Sequence, residues 1–182
     1  MFMLNSYIIS FLLIVLFTVT VIPKGRAGEV VHLPNYSLKY SVRTSAEKSI
    51  IWRLWADVEN WKSFDARLTY SYLVAGNEFG KGAVGYLKAK NGPKTKFEII
   101  EFKNGVSFTE SLKIPLYQTI ELQRYFEDDG SGSTVFTHEV NFKGALRSVA
   151  YFFLYRAFKK DLQLVVERLK MIAEYDEAKA SE

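Results

Sequence analysis

Between residues 68 and 143 the sequence resolves into six short segments of strand periodicity, and this train constrains the fold more than any other feature. Segment 68–75 is closed by Gly76-Asn77, 83–89 by Asn91-Gly92-Pro93, 96–102 by Asn104-Gly105, and 106–114 by Pro115. Segments 117–126 and 134–143 flank the loop Asp128-Asp129-Gly130-Ser131-Gly132. Each break carries residues suited to tight turns, so a succession of antiparallel hairpins is the economical reading.

The stretch 145–178 then contains no Gly or Pro. Leu146, Val149, Phe153, Phe158, Leu162, Val165, Leu169 and Ile172 return at helical spacing, which predicts one long amphipathic helix. Its first half reads YFFLYRAF, aromatic nearly all round, and implies burial on more than one side. Its second half carries Glu167, Arg168, Lys170 and Glu174 toward water.

Ahead of the hairpins, Leu38, Tyr40 and Val42 alternate with Ser37, Lys39, Ser41 and Arg43, a strand pattern. A helix follows, with Ser45 suited to the N-cap and Glu47 to the positive end of the dipole. Ile50, Ile51, Leu54, Trp55 and Val58 form its apolar face. Asp57, Glu59 and Asn60 interrupt that face, and Trp61 and Phe64 sit on a short second helix or turn. Strand, two helices, six strands and a helix make an α+β domain.

The segment WRLWADVENWKSFD, carrying Trp52, Asp57, Val58, Glu59, Asn60 and Trp61, resembles the opening signature of the polyketide cyclase/dehydrase, START-like (SRPBCC, Bet v 1-like) superfamily. The resemblance covers about residues 36–175. It implies a helix-grip fold, β-α-α-β6-α, with a curved antiparallel sheet wrapped on the C-terminal helix. It further implies that a hydrophobic small molecule or lipid is bound or transferred in the space between sheet and helix. The alternatives are a cyclase- or dehydratase-type enzyme acting on an aromatic or polyketide-like substrate, and a partner-binding module whose cavity is filled by bulky side chains.

Strand alternation selects the side chains that face this space. Val106, Phe108, Glu110 and Leu112 share one parity, with Ser107, Thr109, Ser111 and Lys113 toward water. Ile120, Leu122, Arg124 and Phe126 point inward from the next strand, and Phe136, His138, Val140 and Phe142 from the last. With the hairpin centred near Gly130 or Ser131, Arg124 stands opposite His138. Three ionisable groups on an apolar face require partners, because an unpaired buried charge is costly. Either Glu110 and Arg124 form a structural pair beside a neutral His138, or the three make the polar end of a ligand pocket whose apolar body is held by Phe97, Phe108 and Phe136. Tyr70 and Tyr72 complete the cavity candidates. Trp52, Trp55, Trp61 and the aromatic run at 151–158 are assigned to core by default.

Catalytic patterns are scarce. His32 and His138 are the only histidines and there is no cysteine, so neither metal ligation nor a cofactor is expected. Gly80-Lys81-Gly82 belongs to a hairpin loop, not to a phosphate-binding strand-to-helix turn. A general acid/base role for His138 with Glu110 or Arg124 is the remaining catalytic option.

Residues 7–22, YIISFLLIVLFTVTVI, carry no charge and would span about 24 Å as a helix. We read residues 1–27 as a signal peptide or N-terminal membrane anchor, with membrane association through 7–22. Residues 28–35 are read as a linker, 36–178 as the START-like domain and 179–182 as a tail. Gly25-Arg26-Ala27 suits cleavage and export, placing the domain on the periplasmic or extracytoplasmic side. Lys24 and Arg26 after the run argue for the opposite orientation, a cytoplasmic-facing anchor. Those two residues also carry two units of the formal net charge of +4. The near-balanced remainder gives no argument for nucleic acid.

Overall fold

The computed structural model of the chain describes residues 27–33, 35–114, 118–128, 130 and 132–181. The apolar run at 7–22 lies outside them; among the described residues no helix is long and apolar enough to cross a membrane. The strands are β1 Val30–Leu33, β2 Ser37–Thr44, β3 Leu68–Leu73, β4 Val84–Ala89, β5 Lys94–Lys103, β6 Ser107–Ile114, β7 Gln118–Glu127 and β8 Thr134–Lys143. Helix α1 is Lys48–Ala56, followed by a 3-10 segment at Val58–Ser63, and α2 is Arg147–Ala180.

The hairpin train folds as its turn chemistry requires. The eight strands form one sheet in the order β1-β2-β8-β7-β6-β5-β4-β3, with neighbouring strands antiparallel. Strands β3 to β8 pair as consecutive neighbours. Strand β2, made before α1, returns to pair with the last strand, and α2 packs against β2, β8 and α1. The apolar parity of β2 is fully buried at Leu38, Tyr40 and Val42. Across the sheet these side chains meet Leu162, Val165, Val166 and Leu169 of α2 in one core.

Three expectations are corrected. The segment expected to be a linker contains β1, which pairs with β2 from Val30↔Tyr40 to Leu33↔Ser37. Ser45 does not cap α1: the N-cap position is Glu47, with no side-chain capping bond. The Glu174 carboxylate of α2 instead receives the Thr44 hydroxyl at 2.9 Å and the Ser45 amide at 3.2 Å, a tertiary contact that holds the chain just ahead of α1. Ser41, on the opposite parity of β2, is buried on the outer face. There the Ser41 and Thr137 hydroxyls and the Lys39 ammonium all reach one oxygen of Glu127, at 3.2, 2.6 and 2.7 Å. Burial alone would raise the pKa of Glu127, but these donors outweigh it and hold the carboxyl below its ordinary value.

The third correction concerns the aromatic half of α2. Tyr151 is buried and Leu154, Tyr155 and Phe158 pack against the core, but Phe152 and Phe153 are 77% and 75% exposed. Helical geometry gives the reason: one face of this half lies on the sheet, and residues 100° and 200° away from that face turn from it.

Candidate functional site

The interior between sheet and α2 is divided. Toward α1 it is filled with rings: Trp52 packs edge-on against Phe108 and Phe79, and Trp55 lies 5.0 Å from Phe126 and 6.0 Å from Phe136 between ring centres. Toward the middle of α2 it is hollow. A cavity of about 170 Å³ opens there, walled by Leu68, Leu87, Ala89, Leu112, Ile120, Leu122 and Phe158 on its apolar side. Trp61, Asp65, Arg67, Glu110 and Arg124 form its polar side.

Register brings the charged pair together. Strand β6 lies beside β7 with Phe108↔Arg124 and Glu110↔Leu122 aligned. This diagonal puts Arg124 Nη2 3.0 Å from Glu110 Oε1, with side chains 7% and 2% exposed. The Arg124 guanidinium is also flanked by two rings, 4.7 Å from the centre of Trp61 and 5.1 Å from that of Phe108. Such flanking suits a planar, weakly hydrated cation in a desolvated place. Among the described residues, Glu110 Oε2 and Arg124 Nε and Nη1 are buried without a hydrogen-bond partner. Buried polar atoms of this kind are the exception in folded proteins, and each leaves unused hydrogen-bonding capacity at the cavity wall.

Burial raises the pKa of Glu110; Arg124 opposes that shift without cancelling it, and Asp65 adds to it. Asp65 is engaged elsewhere. Arg67 forks onto it, Nη2 to Oδ2 at 2.7 Å and Nε to Oδ1 at 2.9 Å, while Arg67 Nη1 reaches Asp161 of α2 at 3.0 Å. Arg67 therefore ties the turn after the 3-10 segment to the helix that roofs the cavity.

His138 stands directly opposite Arg124, as the hairpin centring requires. Its Nε2 accepts the Trp55 indole N–H at 3.0 Å, and it is 3% exposed. Burial, reinforced by the Arg124 charge, holds its pKa well below the ordinary imidazole value. The neutral ring is a hydrogen-bond acceptor in the core, behind Arg124 and away from the cavity lining.

The other candidates are also placed differently from the sequence reading. Phe97 stacks on Trp61 at 5.4 Å beneath Gly85, Phe108 joins the Trp52 cluster, and Phe136 packs on Trp55. All three are buried in the core and none lines this cavity. Tyr70 and Tyr72 lie on the outer face, where Lys94 donates to the Tyr72 hydroxyl at 2.7 Å. The pairing of β3 with β4 is irregular between Leu68 and Tyr70, so Leu68 faces the cavity while the buried inward residue further along is Ser71. The sequence reading missed Trp61, Arg67 and Phe158 as wall residues. For Trp61 a signal existed: it closes the very signature that carried the resemblance. For Arg67 and Asp161 none did, since their contact joins residues 94 apart in sequence.

No protein-family model matches the sequence, and no curated protein was found to be similar. Solved structures are similar in fold. They include Ms6760 from Mycobacterium smegmatis, at TM-score 0.57 and 15% identity over 81% of this chain and 97% of that one. They also include the di-domain ARO/CYC StfQ from the steffimycin biosynthetic pathway, at TM-score 0.60 and 9% identity over 79% of this chain and 52% of StfQ. Ginseng major latex-like protein 151 from Panax ginseng aligns at TM-score 0.53 and 11% identity over 75% and 96%. Likeness at such identities shows the fold alone, a helix-grip (START/Bet v 1-like) fold.

Proposed function

We propose that the domain binds a small hydrophobic molecule about one ring in size, with Glu110 and Arg124 reading a polar group on it. The observation that carries this reading is the set of unpartnered buried atoms, Glu110 Oε2 and Arg124 Nε and Nη1, on residues that line a hollow interior. An apolar cavity of about 150 Å³ accommodates benzene. The cavity here, about 170 Å³, matches a single ring with one substituent and is too small for a diacyl lipid or a multi-ring polyketide. Arg124 supplies donors and Glu110 an acceptor, which suits a hydroxyl, phenol or amide. The fold is compatible with this role. The uncharged run at 7–22 belongs to the same proposal as a membrane-directed leader or anchor, with the domain on the extracytoplasmic side.

One observation favours a second reading, an enzyme of the cyclase or dehydratase type. Glu110 is a cavity carboxyl with its pKa raised by burial, the environment in which a carboxyl serves as a general acid. His138 has no part in that chemistry, because its Nε2 is occupied by Trp55.

Native mass spectrometry of the full chain purified from its own host, followed by organic extraction, tests the binding reading. Release of a one-ring-sized apolar molecule with a hydroxyl or amide is the expected result. An empty protein, or one carrying only long-chain lipid, contradicts it.

A further inference from the structure

We propose that the first half of α2 docks on the surface of an anionic lipid bilayer, with Phe152 and Phe153 entering the headgroup region. Two adjacent phenylalanines stand 77% and 75% exposed, and Val149, one turn earlier, is 49% exposed. Single exposed apolar residues are ordinary; a contiguous group of this size on one helical face marks an interaction surface. The charge of the same stretch names the partner. From Gly144 to Lys160 the sequence has four cations, Arg147, Arg156, Lys159 and Lys160, and no Asp or Glu. Among the described residues none of the four forms a salt bridge. The first acidic residue beyond them, Asp161, is bonded to Arg67 at 3.0 Å.

Helical spacing arranges these groups as an interfacial helix requires. Val149, Phe153, Arg156 and Lys160 recur at intervals of four, three and four, one stripe on the face opposite Tyr151, Phe158 and Leu162. Aromatic rings flanked by long basic side chains on one exposed face are the composition that lies in a bilayer interface, rings about 5–10 Å deep and cations at the anionic headgroups. A protein partner needs no such uniform charge. The nearness of a membrane has a source within the chain: the uncharged run at 7–22 ends only a few residues before the described domain. This inference does not depend on what the cavity binds.

The chain has no cysteine, so a single one can be labelled without side reactions. The full chain carrying Phe152→Cys with an environment-sensitive dye would be mixed with phosphatidylcholine vesicles, with or without phosphatidylglycerol, both containing a lipid-borne quencher. A second protein labelled through Glu98→Cys, on the exposed face of β5, is the control. Quenching of the label at 152 in phosphatidylglycerol vesicles, with little at 98, is expected. It should be lost at high salt and in the Arg156→Ser/Lys160→Ser background. Equal quenching at both positions, or quenching at 152 that ignores lipid charge and salt, overturns the proposal. So does a label at 152 that is shielded in water without lipid, which would mean that the apolar run of the chain itself or a second copy covers this face.

Discussion

The indole N–H of Trp55 donates to Nε2 of His138 across 3.0 Å in the core, and this bond fixes the histidine as a neutral acceptor. Because α1 and β8 are joined through it, the first helix and the last strand in chain order share one buried polar contact. A proton on His138 would break it and place a second cation beside Arg124.

Stability should therefore fall with acid through this residue. The folded pKa of His138 lies well below 6.5, so below 6.5 the unfolded chain binds the extra proton and the folded one does not. Its contribution is fully present above pH 6.5 and is lost at up to about 1.4 kcal/mol per pH unit as pH falls. Urea unfolding between pH 7.5 and 5 should show this slope in the wild type. In His138→Gln, which keeps an acceptor without a titrating ring, the slope should be weaker. Glu110, shifted the other way, is present in both proteins and cancels in the comparison.

Arg124→Leu should cost about 3–5 kcal/mol near neutral pH, because it leaves the Glu110 carboxylate buried and alone. The penalty should shrink as the pH drops and Glu110 takes up a proton. The double substitution Glu110→Leu/Arg124→Met, which removes both charges, should lie within about 1 kcal/mol of the wild type. Denaturant titrations of the three proteins check both statements.

Gly85→Ala should be strongly destabilising. A Cβ there would stand 2.3 Å from Cζ of Phe97 and 2.6 Å from the Tyr72 carbonyl oxygen. The first contact is with a ring stacked on Trp61, the second with backbone, and neither can yield without disturbing the wall of the site. A loss of about 1–3 kcal/mol is expected from overpacking, read as a lowered melting temperature.

Arg67→Ala should release α2 locally. Its guanidinium is partly exposed and its ion pairs are screened, so the global loss should stay near 1 kcal/mol. Hydrogen exchange should nevertheless quicken in α2 around Asp161 more than in β8, since only the former loses its tie to the turn at Asp65.

These residues also show how far the sequence carried. Alternation placed Glu110, Arg124 and His138 on one face, and turn length set Arg124 against His138, because both signals are local and periodic. The same logic failed at Tyr70 and Tyr72: the irregularity after Leu68 changes which residues face in, and nothing in the composition of β3 marks it. Phe97, Phe108 and Phe136 were correctly inward but not at the cavity, since alternation says which face a ring occupies and not whether its neighbours leave space beside it. The exposure of Phe152 and Phe153 was illegible for a related reason. Aromatic composition alone does not tell a buried helix from one that meets something outside the chain.

The most direct test of the account compares phenol with toluene, two ligands of one ring that differ in a hydroxyl. Their dissociation constants would be measured by calorimetry for the wild type and for Glu110→Leu/Arg124→Met. If Glu110 and Arg124 read a polar group in the cavity, the preference for phenol relative to toluene should fall about tenfold or more in the variant, the equivalent of one hydrogen bond to a charged group. A ratio that stays unchanged would contradict the account and leave Glu110 and Arg124 as a structural pair.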